Sequence, residues 1–192
     1  MESPGGLLNV IDVEATCWDG PVPPGQSSEI IEIGLCVVDL AARRRVDRTA
    51  IMVKPDRSTV SAFCTQLTSL TWDDLADGLT FEQACALLVE EYGGCDRSWA
   101  SWGDYDRKQF ATQCDASGVP YPFGPIHINA KAVFGDSYSL RRRPGMARAL
   151  VAAGLPAEGR HHRGVDDAWN IAALVLHLVE RGDWSGHPTT PE

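Results

Sequence analysis

Two carboxylates inside an apolar run constrain this chain more than any other feature. Leu7 to Ala15 reads LLNVIDVEA, short, apolar and β-branched at its middle, which is the pattern of a buried strand, yet it carries Asp12 and Glu14. Alternate residues of a strand project from one face, so these side chains point the same way, about 7 Å apart along the chain. Two anions so placed repel one another unless a cation joins them. An edge strand with a solvated face is the alternative account, and the flanking Val10, Ile11, Val13 and Ala15 count against it.

The residues around that strand suggest a sheet with helices packed on it. Glu29 to Leu40 (EIIEIGLCVVDL) reads as a second strand and Arg45 to Val53 (RVDRTAIMV) as a third, closed by Lys54-Pro55. The connection Asp39 to Arg44 is short enough for a hairpin, so these strands are expected to run antiparallel. Asp19 to Ser28, rich in Gly, Pro and Ser, is a loop. Thr80 followed by Gln83 is a capping-box signal for a helix to about Glu91, with Phe81, Ala84, Ala86, Leu87 and Leu88 as its apolar face. Ser98 to Trp102 reads as a fourth strand and Asp106 to Ala116 as a helix ending near Gly118. Ile126 to Ala130 reads as a short fifth strand beyond the loop Pro120 to Pro125. Helices follow near Gly145 to Ala153 and Asp166 to Arg181. Along the second of these, Ala168, Ile171, Ala172, Val175, Leu178 and Val179 recur at helical spacing. A three-strand meander followed by alternating strands and helices predicts an α/β fold, a mixed five-stranded sheet flanked by helices.

A chain of 192 residues fits one domain, expected over residues 1–184, with a polar tail at 185–192 that frays. No apolar run approaches the ~20 residues needed to cross a bilayer, and the start MESPGGLLNVIDVE lacks the pattern of a secretory signal, so a cytoplasmic protein is expected. The six cysteines (Cys17, Cys36, Cys64, Cys85, Cys95 and Cys114) form no C-x-x-C pair and several lie in apolar segments, which indicates free thiols. A net charge of −9 argues against broad, nonspecific phosphate binding. The charge is uneven, however. From Lys131 to Arg163 there are seven basic residues (Lys131, Arg141, Arg142, Arg143, Arg148, Arg160, Arg163) against two acidic ones (Asp136, Glu158).

Three further residues add chemistry to Asp12 and Glu14. Asp106 follows the fourth strand and opens a helix whose Phe110 can pack inward, placing its carboxylate at the strand's carboxyl end. Asp104 competes for that role or for the helix cap. His162 and Asp167 form an H-x-x-x-x-D element with the aspartate at a helix start, where the macrodipole favours an acid. His161 is the rival histidine and Asp166 the plainer cap; His127, His177 and His187 have no acidic companion at a suggestive spacing. Four carboxylates and a histidine suit hard divalent cations with oxygen ligands. Two magnesium or manganese ions about 4 Å apart could activate a water and stabilise the leaving oxygen of a phosphodiester. A histidine of ordinary pKa about 6.5 is a suitable acceptor for that water's proton.

The segments D-V-E-A-T at Asp12 to Thr16, Y-D-R-K-Q-F at Tyr105 to Phe110 and H-R-G-V-D-D at His162 to Asp167 resemble the three motifs of the DEDDh exonucleases, in order and in separation. The resemblance covers about Leu7 to Arg181. It implies an RNase H-like fold and a metal-dependent 3′-to-5′ exonuclease acting on RNA or DNA with a free 3′ end. Asp12, Glu14, Asp106 and Asp167 would hold two metal ions, Mg2+ or Mn2+, and His162 would be the general base. By that resemblance Asp12 would bridge both ions, Glu14 and Asp167 would complete one site, and Asp106 would reach the other largely through water.

The E-I-I-E-I-G segment at Glu29 to Gly34, F-C-T-Q-L-T at Phe63 to Thr68 and the stretch GMARAL…GLP…GRHHRGVDDAWNIA are similar to one branch of that family. It holds the RNA-interference and histone-mRNA exonucleases and the bacterial sporulation-inhibitor proteins. By that similarity Ala15, Thr16, Phe63, Leu67 and Met146 would contact substrate, with Leu67 or Met146 against the terminal base; ordinary core is the alternative for Phe63, Leu67 and Met146. Two other functions use the same residues. A small-molecule phosphodiesterase or phosphatase would employ the same metals, and a noncatalytic nucleic-acid-binding module would keep the fold but lose carboxylates, whereas all five positions are filled here. A serine hydrolase is disfavoured by the absence of G-x-S-x-G.

Overall fold

The strand Leu7–Ala15 (β1) lies in the middle of a five-stranded sheet in the computed structural model, which describes residues 6–184. The other strands are Ile30–Asp39 (β2), Arg44–Met52 (β3), Trp99–Ser101 (β4) and His127–Asn129 (β5), and the sheet order is β3-β2-β1-β4-β5. β1, β2 and β3 pair antiparallel, while β1 with β4 and β4 with β5 pair parallel, so the expected meander is continued by parallel strands. The edge-strand account of Asp12 and Glu14 is therefore excluded. The tail 185–192 lies outside the described residues.

Seven helices accompany the sheet among the described residues: Ala62–Thr68 (α1), Trp72–Leu75 (α2), Phe81–Glu90 (α3), Tyr105–Ser117 (α4), Ala130–Ser137 (α5), Met146–Ala153 (α6) and Gly164–Arg181 (α7). The capping box of Thr80 and Gln83 opens α3 as expected. α1, α2 and α5 are additions to the sequence reading. Each has a local cap: the Ser61 hydroxyl accepts from Cys64 N, Thr71 and Asp74 form a capping box, and the Asn129 side chain accepts from Ala132 N. No helix is long and apolar enough to cross a membrane among these residues. The six cysteines are free, four of them buried.

The alternation of β1 sets out both the core and the site. Leu8 and Val10 pack on one face with Ile171, Ala172, Val175 and Leu178 of α7, whereas Ile11 and Val13 pack on the other with Phe81, Leu88 and Phe110 of α3 and α4. Burying a side chain such as Ile171 or Leu178 stabilises the fold by roughly 1.5–3 kcal/mol. Asp12 and Glu14 continue the α7 face. The helix begins only at Gly164, so its cover of that face runs out where the carboxylates begin.

Neighbouring residues on β2 determine how closely α7 can start. Register sets Gly34 opposite Asp12 and Glu32 opposite Glu14. A Cβ on Gly34 would fall 1.9 Å from the Gly164 carbonyl carbon, so only glycine lets the first turn of α7 seat against the sheet. α7 has no side-chain cap from its own Arg163. Glu32, fully buried, serves instead from the adjacent strand: it accepts from Gly164 N at 3.1 Å and Val165 N at 3.4 Å, and pairs with Arg163 Nε at 3.0 Å. An anion there satisfies open N–H groups and complements the helix dipole.

Candidate active site

Four carboxylates and two histidines reach one open cleft of about 360 Å3 from different elements. Asp12 and Glu14 come from the end of β1, Asp106 and Asp167 from the first turns of α4 and α7, and His161 and His162 from the loop before α7. Carboxylate oxygens of Asp12, Glu14 and Asp167 lie within 4.8 Å of one another.

Asp106 stands slightly apart, for a reason written into the sheet. β4 is short and its ladder on β1 ends at Val10, so the N–H of Val13 has no strand partner on that side. Asp106 Oδ1 accepts it at 2.9 Å, which ties the start of α4 to the end of β1. Its rival Asp104 occupies the N-cap position without making a side-chain cap. It lies 3.4 Å from Arg107 Nε and 3.8 Å from His127 Nδ1, outside the cleft lining.

Burial and mutual repulsion dominate the electrostatics. Loss of solvent raises Asp12 well above the usual carboxylate range, and the charges of Asp106, Asp167, Glu14 and Glu32 raise it further. Glu14 is pushed up to about 8 by burial first, then by Asp167, Glu32 and Asp106, with Arg163 opposing. Asp106 is pushed to about 6 and Asp167 is also raised, in each case chiefly by burial. Such a cluster is unfavourable as a set of bare anions, and a hard divalent cation bound by its oxygens relieves that repulsion. The donor set therefore fits one.

The two histidines are held differently. His161 Nδ1 lies 2.9 Å from Asp167 Oδ2 and 3.1 Å from Oδ1. His162 reaches the same carboxylate through its backbone N–H, at 3.0 Å from Oδ2. The rings stack with centroids 3.9 Å apart, and both line the cleft. Burial, followed by the neighbouring His161, lowers the His162 pKa. Asp166, the expected helix cap, instead accepts from Arg160 N at 2.8 Å and pairs with Arg48.

Among the residues expected to contact substrate, Ala15, Leu67 and Met146 line the cleft. Thr16 and Phe63 do not. Thr16 is fully buried, its Oγ1 2.9 Å from Ser58 Oγ and accepting from Glu29 N at 2.9 Å, so it braces the loop after β1. Phe63 is 37% exposed on α1, outside the lining. Trp102, Tyr105, Cys17 and Gly145 also line the cleft and escaped the sequence reading as site residues. Glu32 escaped it as well, although a further carboxylate within an apolar strand is the same signal that marks Asp12.

A family model described as Exonuclease (RNase_T) matches residues 10–175. The human 3′-5′ exoribonuclease 1 is 31% identical over 183 residues, covering 90% of this chain and 52% of that protein. The probable 3′-5′ exonuclease KapD of Bacillus subtilis is 28% identical over 180 residues, covering 91% and 84%. The chain thus spans about half the length of the mammalian exoribonuclease 1 proteins it matches. The solved nuclease domain of 3′hExo, a DEDDh family member bound to rAMP, superposes with a TM-score of 0.84 at 29% identity, over 96% of both chains. That likeness extends to the RNase H-like sheet and its flanking helices.

Proposed function

This chain belongs to the RNase_T exonuclease family, and from that premise we propose that it hydrolyses phosphodiester bonds at the 3′ end of RNA or DNA, releasing nucleoside monophosphates. The observation that carries the reading is the convergence of Asp12, Glu14, Asp106, Asp167 and His162 on one open cleft. The family is divalent-metal dependent. Here Asp12, Glu14, Asp106 and Asp167 are the residues that would hold Mg2+ or Mn2+, as two ions. Bound there, the ions supply positive charge to the phosphodiester oxygens and to the leaving 3′-oxygen.

The chain's own residues then have separate tasks. His162 accepts a proton from the attacking water, whose oxygen bonds to the terminal phosphorus while the bond to the preceding nucleotide's 3′-oxygen breaks. Burial depresses the pKa of this ring, which keeps it neutral and able to accept at pH 7. Asp106, held on Val13 N, fixes the start of α4 beside β1. Leu67, Met146 and Ala15 offer apolar surface to the terminal nucleotide, and the rings of Trp102 and Tyr105 offer faces on which a base can stack. The basic residues from Lys131 to Arg163 are the part of an otherwise acidic surface suited to a phosphate backbone.

Incubating the protein with Mg2+ and a 5′-labelled oligonucleotide tests the reading, which expects a ladder shortening from the 3′ end. Cleavage of an aryl phosphate with the oligonucleotide left intact would assign a small-molecule phosphodiesterase. A circular strand cut as fast as a linear one would overturn the exonuclease assignment.

A further inference from the structure

The cleft holds a second donor set of different chemistry. One ligand atom each from His161, His162 and Asp167 lie within 4.8 Å of one another, and this group shares only Asp167 with the oxygen group of Asp12, Glu14 and Asp167. Two nitrogens and one oxygen suit a borderline cation, since imidazole favours Zn2+ whereas Mg2+ takes oxygen ligands. Two donors on one ion at about 2.0–2.1 Å each stand no more than about 4.2 Å apart, so closing the set requires shifts on the order of an ångström. The side chains allow this: His161 is 54% exposed, and the buried Asp167 carboxylate, 6% exposed, is already 2.9 Å from His161 Nδ1. The stacked rings present both imidazoles to the same cleft.

We propose that His161, His162 and Asp167 form a Zn2+ site, a tetrahedral position with three protein donors and one water, through which zinc inhibits the enzyme. Zinc there takes the nitrogen lone pair of His162 and an oxygen of Asp167. The first removes the proton acceptor and the second removes a ligand of the magnesium set. Zinc binding stands without the exonuclease reading, while the inhibition rests on it.

Titration calorimetry of the full, tag-free, metal-free chain with Zn2+ alone tests the site, with Co2+ as a visible-absorbing stand-in that reports tetrahedral geometry. One zinc equivalent is expected. His161→Ala should weaken it at least ~10-fold by removing one of three donors, and Asp12→Asn should change it by less than ~3-fold because that carboxylate belongs only to the oxygen set. No zinc binding, equal binding by His161→Ala, or an Asp12→Asn loss as large as that of His161→Ala would each overturn the site. In Mg2+-supported cleavage, the zinc concentration giving half-inhibition should rise ~10-fold in His161→Ala, with each variant scored against its own zinc-free rate. An unchanged value would overturn the inhibitory role. Zinc binding as expected in a protein that cleaves no oligonucleotide even without zinc would sink the exonuclease reading and leave the site standing.

Discussion

Asp12 and His162 face the same cleft from supports of opposite kind. Asp12 stands on the middle strand of the sheet, paired through to Glu14 with β2, and its neighbours Val10, Ile11 and Val13 are buried. His162 stands in the loop before α7 with φ 63°, and its amide is tied to the site by one bond to Asp167. A non-glycine residue in that backbone region costs roughly 1–2 kcal/mol, which its surroundings must offset. The carboxylates therefore come with the core of the fold, whereas the proton acceptor is added at its margin. Changes to the first should disturb charge balance and magnesium binding, and changes to the second should disturb the chemistry while sparing magnesium binding.

The largest expected effect lies on the β1 side. Asp12→Asn should abolish metal-dependent cleavage while leaving the metal-free fold as stable as the parent or firmer, because it removes charge from a repelling cluster. Thermal melts and oligonucleotide cleavage check both halves; substantial turnover at saturating Mg2+ would remove Asp12 from the site. The same repulsion predicts a pH signature in the parent. Glu14 goes from 4.5 to about 8 and Asp106 from 3.8 to about 6 on folding. Raised values mean that the folded state binds more protons, so this stability is present below the unfolded values and is lost as pH rises through about 6 and then about 8. Metal-free melting temperature should fall across that window. Millimolar Mg2+ or Mn2+ should raise it and flatten the slope, the stabilisation being about 2.7 kcal/mol at a hundredfold excess over Kd. No shift with metal at any pH would count against the cluster as a cation site.

On the loop side, His162→Ala should lose roughly 100- to 10,000-fold in rate while the Mg2+-induced melting shift stays close to that of the parent. His161→Ala should be much milder. The parent's rate should climb with pH as His162 loses its proton, with a midpoint below the ordinary histidine value because burial lowers its pKa, and that limb should vanish in His162→Ala. Equal damage from both variants would blur the assignment; a near-normal His162→Ala would end it.

Gly34→Ala joins the two regions, since residue 34 lies opposite Asp12 and beneath the start of α7. The added methyl meets backbone at 1.9 Å, so the strand and helix must separate. Destabilisation of about 1–3 kcal/mol or more is expected, together with lost activity as Asp167 moves away from β1. A normal melt with normal turnover would show that close seating of α7 does not position Asp167.

How much of this was legible follows the same division. β1 could be read residue by residue, because a buried strand with two same-face carboxylates is a strong local contradiction. α3 and α7 announced themselves through a cap and a helical period. α1 and α2 were silent because such short helices carry little periodicity, α1 burying only Cys64 and Thr68, and α5 was masked because it starts directly where β5 ends. Thr16 looked like a substrate contact from its motif position, but whether it faces the cleft or the Ser58 loop depends on the chain after β1, which no local pattern encodes. His162 was chosen over its neighbour His161 by its spacing of five residues to Asp167, whereas the contact of the His161 ring with that same carboxylate depends on the fold of the loop before α7 and had no local signal.

The smallest expected effect concerns the basic loop between α5 and α6, which leads into the cleft-lining Gly145 and Met146. Arg141 and Arg142 are exposed there, whereas Arg143 packs against Gly135 and lies 4.0 Å from Asp136. If the loop tracks a strand entering the cleft, Arg141 and Arg142 are the members placed to meet phosphates. Each lost phosphate contact should flatten the log-log dependence of binding on salt by about 0.7–0.9. The double variant Arg141→Gln/Arg142→Gln should therefore reduce the slope by up to about 1.4–1.8, leave the rate on a dinucleotide too short to reach the loop unchanged, and spare the metal-induced melting shift. Adding Arg143→Gln should change the slope little further, because that guanidinium already lies beside Asp136 of α5. A slope unaltered by the double variant would make Arg141 and Arg142 solvated surface and leave the acidic chain without a backbone track in that loop.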